Sequence, residues 1–242
     1  MMRIISRFPK VFGVVAVAVF AVVGCSAPPS DTRPAPATPI VATPTATAAV
    51  TIAVLGDSLS AGYGLPETEA FPSVVEELLR EQGHNVRVLN AGVSGDTTAG
   101  GLSRLDWILQ QAPEILVVEL GGNDALRGQP LENIETNLRQ IVRRARGQGA
   151  RVLLLGMDLP TNYGPDYSRG FTAIYERVAR DEDATLVPGF MREVGIDPGL
   201  LQPDGLHPTA EGQRRLATSL ARPLDQMLED HNNETSVSRM RQ

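Results

Sequence analysis

The sequence predicts one α/β domain built on a five-stranded parallel sheet with helices on both faces. Three observations carry that prediction. Short aliphatic runs alternate with helical stripes along residues 51–229. The runs are apolar at consecutive positions rather than at every second one, which is the pattern of strands buried on both faces. Each run is followed by a stripe, and parallel strands need crossover helices to join them. The length agrees, since single domains commonly run about 50–250 residues.

The strands are expected at 51–55, 86–89, 115–120, 152–155 and 185–187. After the first, Phe71, Val74, Val75, Leu78 and Leu79 follow the spacing of one helical face. Leu102, Leu105, Ile108 and Leu109 make the second stripe, and Leu131, Ile134, Leu138, Ile141, Val142 and Ala145 the third. Phe171, Ile174, Tyr175 and Val178 give the fourth. The last carries Leu216, Leu220, Leu224 and Leu228, with a kink expected at Pro223.

The ends have another character. Arg3, Arg7 and Lys10 precede a nearly unbroken apolar run at 11–23, too short to span a bilayer and typical of an export signal. Val22-Val23-Gly24-Cys25 resembles the bacterial lipobox, so residues 1–24 read as a lipoprotein signal peptide and Cys25 as the lipidated first residue of the mature chain. The expected location is a cell membrane, on the periplasmic face of the outer membrane where the cell has one, because Ser26 stands where an inner-membrane retention signal would have aspartate. Residues 26–50 are rich in Ala, Pro and Thr, bury too little to fold and read as an extended tether. Residues 230–242 are polar without apolar period and read as a fraying tail.

Composition excludes several classes. The formal net charge is −6 and becomes more negative once the export signal is removed, which is no footprint for nucleic acid. One cysteine and three histidines provide neither an internal disulfide nor a His/Cys metal cluster.

In an open parallel sheet ligands bind beyond the carboxyl ends of the strands, so chemistry is sought in the loops that follow them. Gly56-Asp57-Ser58-Leu59-Ser60 follows the first strand and sets Ser58 where a strand turns into a helix. Such a turn exposes the hydroxyl and aims amides at any oxyanion it creates, although a Gly-Asp-Ser string also suits an ordinary helix-opening turn. A serine nucleophile needs a base. His84 lies in a Gly-His-Asn turn and His231 in the tail, which leaves His207, in Asp204-Gly205-Leu206-His207-Pro208. A tight loop brings the Asp204 carboxylate onto the ring nitrogen facing away from the serine, where it fixes the tautomer. Oxyanion donors are available from the loop 90–97, through a glycine N–H, and from Gly121-Gly122-Asn123-Asp124, through the Asn123 amide.

These residues resemble the SGNH, or GDSL-type, esterases and lipases. Four blocks occur in order: GDSLSAGYG at 56–64, NAGVSGDT at 90–97, GGND at 121–124 and DGLHP at 204–208. The run from Val118 through Glu119 to Gly128, together with Leu159-Pro160-Thr161-Asn162-Tyr163-Gly164 and Phe171-Thr172-Ala173-Ile174-Tyr175, is similar to the bacterial multifunctional acyl-CoA thioesterase, arylesterase and lysophospholipase subgroup. The resemblance implies a flavodoxin-like three-layer sandwich over 51–229. It implies Ser58 as nucleophile, His207 as base and Asp204 as its partner, with the oxyanion held by the N–H of Ser58, by Gly95 and by Asn123. Gly95 rather than Gly92 matches the family's glycine, five residues beyond Asn90, and Gly92 is expected to add flexibility to its loop.

The function expected is hydrolysis of carboxylic ester, or thioester, bonds of acyl or aryl esters and lysophospholipids by an enzyme without metal or organic cofactor, held to the membrane through Cys25. The same residues would serve an O-acetyl esterase of cell-wall or extracellular polysaccharide. A lipoprotein that binds acyl chains without turnover is the alternative of another class.

Overall fold

Each of the five aliphatic runs forms a strand in the computed structural model, which describes residues 49–159 and 161–240. The strands are β1 (Val50–Gly56), β2 (Val86–Gly92), β3 (Ile115–Glu119), β4 (Arg151–Leu155) and β5 (Thr185–Val187). The helices are α1 (Ser58–Ala61), α2 (Phe71–Glu81), α3 (Thr98–Leu109), α4 (Gly122–Leu126), α5 (Leu131–Gly147), α6 (Pro165–Asp181) and α7 (Ala210–Met240). All strand pairs are parallel, in the order β2-β1-β3-β4-β5. That is the flavodoxin-like order.

Alternation along a strand sorts its side chains into two layers. In β1, Ile52 and Val54 pack with Phe71 of α2 and Leu220 of α7, whereas Ala53 and Leu55 pack with Leu105 of α3 and Leu138 of α5. The chain leaves β1 through α2 on one face and returns from β2 to β3 through α3 on the other. The strand order therefore reverses around β1 and opens a crevice at its carboxyl end, between the loops after β1 and β3.

The polar Gln213 sits inside the last Leu stripe, 1% exposed. Its Oε1 accepts from Phe71 N at 2.9 Å and its Nε2 donates to Leu59 O at 3.1 Å, so α7 fixes the starts of both α1 and α2. Pro223 lies within α7, and the helix continues on both sides of the backbone bond that a proline removes.

Two boundaries differ from expectation by more than the single residue seen at the ends of β1, β3 and β4. β2 runs to Gly92 rather than 89, because its last residues stay in register with β1 down to the Gly56–Gly92 pair. The stretch from His231, expected to fray, continues α7 to Met240, since extending an existing helix adds one backbone bond for each residue fixed. The export signal, Cys25 and residues 26–48 of the Ala/Pro/Thr-rich stretch lie outside the described residues, while Val50, expected at the end of that stretch, opens β1. Among the described residues, no helix is long and apolar enough to cross a membrane.

Candidate active site

Asp57 caps α1, its Oδ1 accepting from Leu59 N at 3.0 Å, and this places Ser58 at the first position of a one-turn helix. Gly62, with φ 68°, ends that turn. Ser58 Oγ lies 2.9 Å from His207 Nε2, and His207 Nδ1 lies 2.7 Å from Asp204 Oδ2. An ionised carboxylate only accepts, so the ring proton sits on Nδ1 and Nε2 is left to accept from the serine. The tight return between Asp204 and His207 has two local causes. Gly205 takes φ 67°, and Asp204 Oδ1 accepts from Leu206 N at 2.9 Å and His207 N at 3.0 Å.

The histidine loop is pinned from outside as well. Gln202 N donates to His207 O at 2.7 Å, and Gln202 Nε2 donates to Tyr63 O at 2.7 Å and Pro208 O at 2.9 Å. The Tyr63 ring lies over the imidazole with centroids 4.3 Å apart. The His207 contact, with the two N–H groups behind it, holds the Asp204 carboxyl at about 2.

Gly95 and Asn123 line the same cavity as Ser58 and His207. Gly95 takes φ 79°, and Arg127 Nη2 donates to its carbonyl at 3.0 Å, tying the loop after β2 to the end of α4. Asn123 follows Gly121, where φ 115° and a Tyr175 hydroxyl 2.3 Å from any added Cβ leave room only for glycine. Its Nδ2 donates to Asp57 Oδ2 at 2.9 Å. An amide has two such protons, so one fixes the group and the second remains for an oxyanion. The five residues singled out in the sequence thus meet at one crevice, with donors and base positioned for attack on an acyl carbon.

Sequence reasoning missed three supports. Arg104 Nε donates to Asp96 Oδ2 at 2.7 Å, Nη1 to Ala91 O at 2.6 Å and Nη2 to Gly56 O at 2.9 Å, clasping the ends of β1 and β2. Asp124 accepts from Thr98 N at 2.8 Å and Thr98 Oγ1 at 2.6 Å, and so fixes the start of α3 rather than facing the cavity. Glu119 is fully buried at the end of β3, where a charge in an otherwise apolar run was the available signal. Gly92 also has a different role from the one expected. A Cβ there would fall 2.3 Å from Ala61 N and 2.7 Å from Ser60 C, so this glycine permits main-chain contact instead of loosening the loop.

Among the described residues no group of three or more His, Cys, Asp or Glu side chains is arranged to hold a metal ion. Asn123→Ala is expected to lower kcat by about 10²- to 10³-fold with KM nearly unchanged, as for a donor that meets charge only in the transition state. Kinetics and melting temperature measured on one preparation check this. Wild-type turnover with reduced stability would make Asn123 a loop cap only.

The profile of the GDSL-like Lipase/Acylhydrolase family matches residues 54–215. Esterase TesA of Pseudomonas aeruginosa is 45% identical over 170 residues, covering 70% of this chain and 85% of that protein. Thioesterase 1/protease 1/lysophospholipase L1 of Escherichia coli strain K12 is 41% identical over 189 residues, covering 78% of this chain and 89% of that protein. The crystal structure of the psychrotrophic esterase EstA from Pseudoalteromonas sp., inhibited by monoethylphosphonate, is similar with a TM-score of 0.71 at 34% identity. The match covers 74% of this chain and 98% of that one.

Proposed function

The chain belongs to the GDSL-like lipase/acylhydrolase family and is a serine ester hydrolase, and from that premise we propose how its residues divide the reaction and what they act on. Ser58 Oγ attacks the acyl carbonyl while His207 Nε2 takes its proton, and Asp204 stabilises the imidazolium that forms. The oxyanion is received by the N–H groups of Ser58 and Gly95 and by Asn123 Nδ2. His207 then protonates the leaving oxygen or sulfur, and water, activated by the same imidazole, releases the acid from the acyl-enzyme.

The substrates are acyl or aryl esters with a modest apolar acyl part, including lysophospholipids. One observation carries this reading. The Ser58–His207–Asp204 chain opens into a cavity of about 520 Å³ walled by Leu59, Met157, Leu159, Tyr163, Met191 and Leu206. Such a wall suits a hydrocarbon chain better than a hydroxyl-rich sugar. A panel of p-nitrophenyl esters of rising chain length, aryl acetates, lysophospholipids, acyl-CoAs and acetylated sugars tests it. The reading fails if turnover is confined to acetylated sugars.

The lipobox at residues 22–25 supports an exported, membrane-anchored enzyme, which would meet envelope esters and not the cytoplasmic pool of acyl-CoA. Cys25→Ser is accordingly expected to abolish incorporation of labelled palmitate. Equal labelling of the variant would remove the anchor from this account.

A further inference from the structure

Glu119 stands directly beneath the loop that carries Ser58, and the reaction makes no use of it. Its Oε2 accepts from Ser60 Oγ at 2.7 Å and from Ser60 N and Asp57 N at 3.2 Å each, so it grips the chain on both sides of Ser58. Its Oε1 is equally buried and, among the described residues, no donor reaches it. An ionised carboxylate would leave that oxygen charged, dry and unsatisfied, which is costly. A protonated carboxyl turns the same oxygen into a donor, and an acceptor is at hand. The Asp57 carboxylate is close enough to interact with the carboxyl of Glu119, and its own Oδ2 receives Asn123 Nδ2 at 2.9 Å.

We propose that Glu119 is a positioning residue that keeps its proton on Oε1 and donates it in a hydrogen bond to the Asp57 carboxylate, so that Asp57 holds Asn123 Nδ2 aimed at the oxyanion. The negative charge of the pair then lies on Asp57, where Leu59 N and Asn123 Nδ2 are present to receive it. The surroundings agree. Burial, and after it the charge of Asp57, push the Glu119 carboxyl well above the usual range, and burial raises Asp57 too.

The groups around the pair do not compete for this proton. Arg104, from α3, is committed to Asp96 and two main-chain carbonyls. Tyr175, from α6, donates to Leu120 O at 2.8 Å, and Asp124, from α4, is held by Thr98. Asp158, after β4, is paired with Arg192, and His207 is engaged by Ser58 and Asp204. Loss of the proton to hydroxide at high pH would set two carboxylates against each other and release the Asn123 amide.

The sign of the linkage makes this testable without a substrate. A carboxyl raised in the folded state stabilises the fold fully below its unfolded value, near 4.5, and that contribution is lost as pH climbs from there towards the folded value. Glu119→Gln imitates the protonated form, its Oε1 accepting from the three donors and its Nε2 donating to Asp57, and it cannot ionise. Urea unfolding of both proteins across a pH series is expected to show the wild type losing ground to Glu119→Gln, by up to about tenfold in folding constant per pH unit. In kinetics with a p-nitrophenyl ester, Glu119→Gln is expected to stay within about threefold of wild-type kcat at neutral pH, while Glu119→Leu loses on the order of 10²-fold, the scale of one oxyanion donor. The kinetic arm rests on the hydrolase reading and the unfolding arm does not, so an inactive protein with the pH-dependent difference intact would fault that reading alone. Parallel stability of wild type and Glu119→Gln across the series, or a Glu119→Gln protein as slow as Glu119→Leu, would overturn the proposal.

Discussion

Ser58→Ala is expected to lower kcat by up to about 10⁶-fold, the loss seen when a serine nucleophile is removed from a working triad. The structure makes this a clean experiment. Asp57, not Ser58, caps α1, and the Ser58 hydroxyl is hydrogen-bonded to His207, so its removal takes nothing from the fold. Melting temperature should therefore stay within the range of neutral surface changes, and labelling by a fluorophosphonate should vanish. The neighbouring hydroxyl offers no substitute, because Ser60 is fully buried and donates to Glu119. Undiminished turnover in the alanine variant would transfer the nucleophile elsewhere and dismantle the mechanism.

Asp204→Asn is expected to cost about 10⁴-fold in kcat, the scale observed when a triad aspartate becomes asparagine. Asparagine keeps an oxygen for the N–H groups of Leu206 and His207, so the loop geometry survives. Its amide nitrogen would then face Nδ1, where only an acceptor is tolerated, and force the ring proton onto the nitrogen that should take the serine proton. The pH dependence has a definite sign. With a folded value of about 2 against 3.8, Asp204 stabilises the fold above pH 3.8 and loses that contribution as pH falls through about 2. Any fall in rate between pH 6 and 4 therefore belongs to another group, and the deficit of Asp204→Asn should persist across the whole working range. A variant that recovers full turnover at neutral pH would show that another carboxylate orients His207.

The β-sheet was legible because burial on both faces writes itself as uninterrupted aliphatic runs, and the triad loop because three residues suffice to bend Asp204 back onto its histidine. The supports were not legible for a shared reason. Ser60 and Glu119 are 59 positions apart, Gln213 and Leu59 154 apart, and Arg104 and Gly56 48 apart. In the linear chain Arg104 is a polar residue on an amphipathic helix and Gln213 an interruption of a leucine stripe. Their meaning appears only when the sheet order brings the strand ends together. Gly92 shows the same limit, since the Ala61 and Ser60 main chain that excludes a side chain there comes from another strand's loop.

Much of the wall of the acyl cavity is drawn from different stretches of chain than the frame that aligns the reacting groups. Arg104, Asp57, Asn123 and Glu119 tie together the ends of β1, β2 and β3, whereas Leu159, Tyr163 and Met191 come from the segments after β4 and β5, ahead of the loop that carries Asp204 and His207. Chain-length preference can thus drift, or be re-engineered, by exchanging these wall residues while the strand ends and the 204–207 loop, which align nucleophile and base, are inherited unchanged. A combinatorial library confined to those three wall positions should yield many active variants with altered selectivity, whereas one aimed at the strand ends should yield mostly inactive ones.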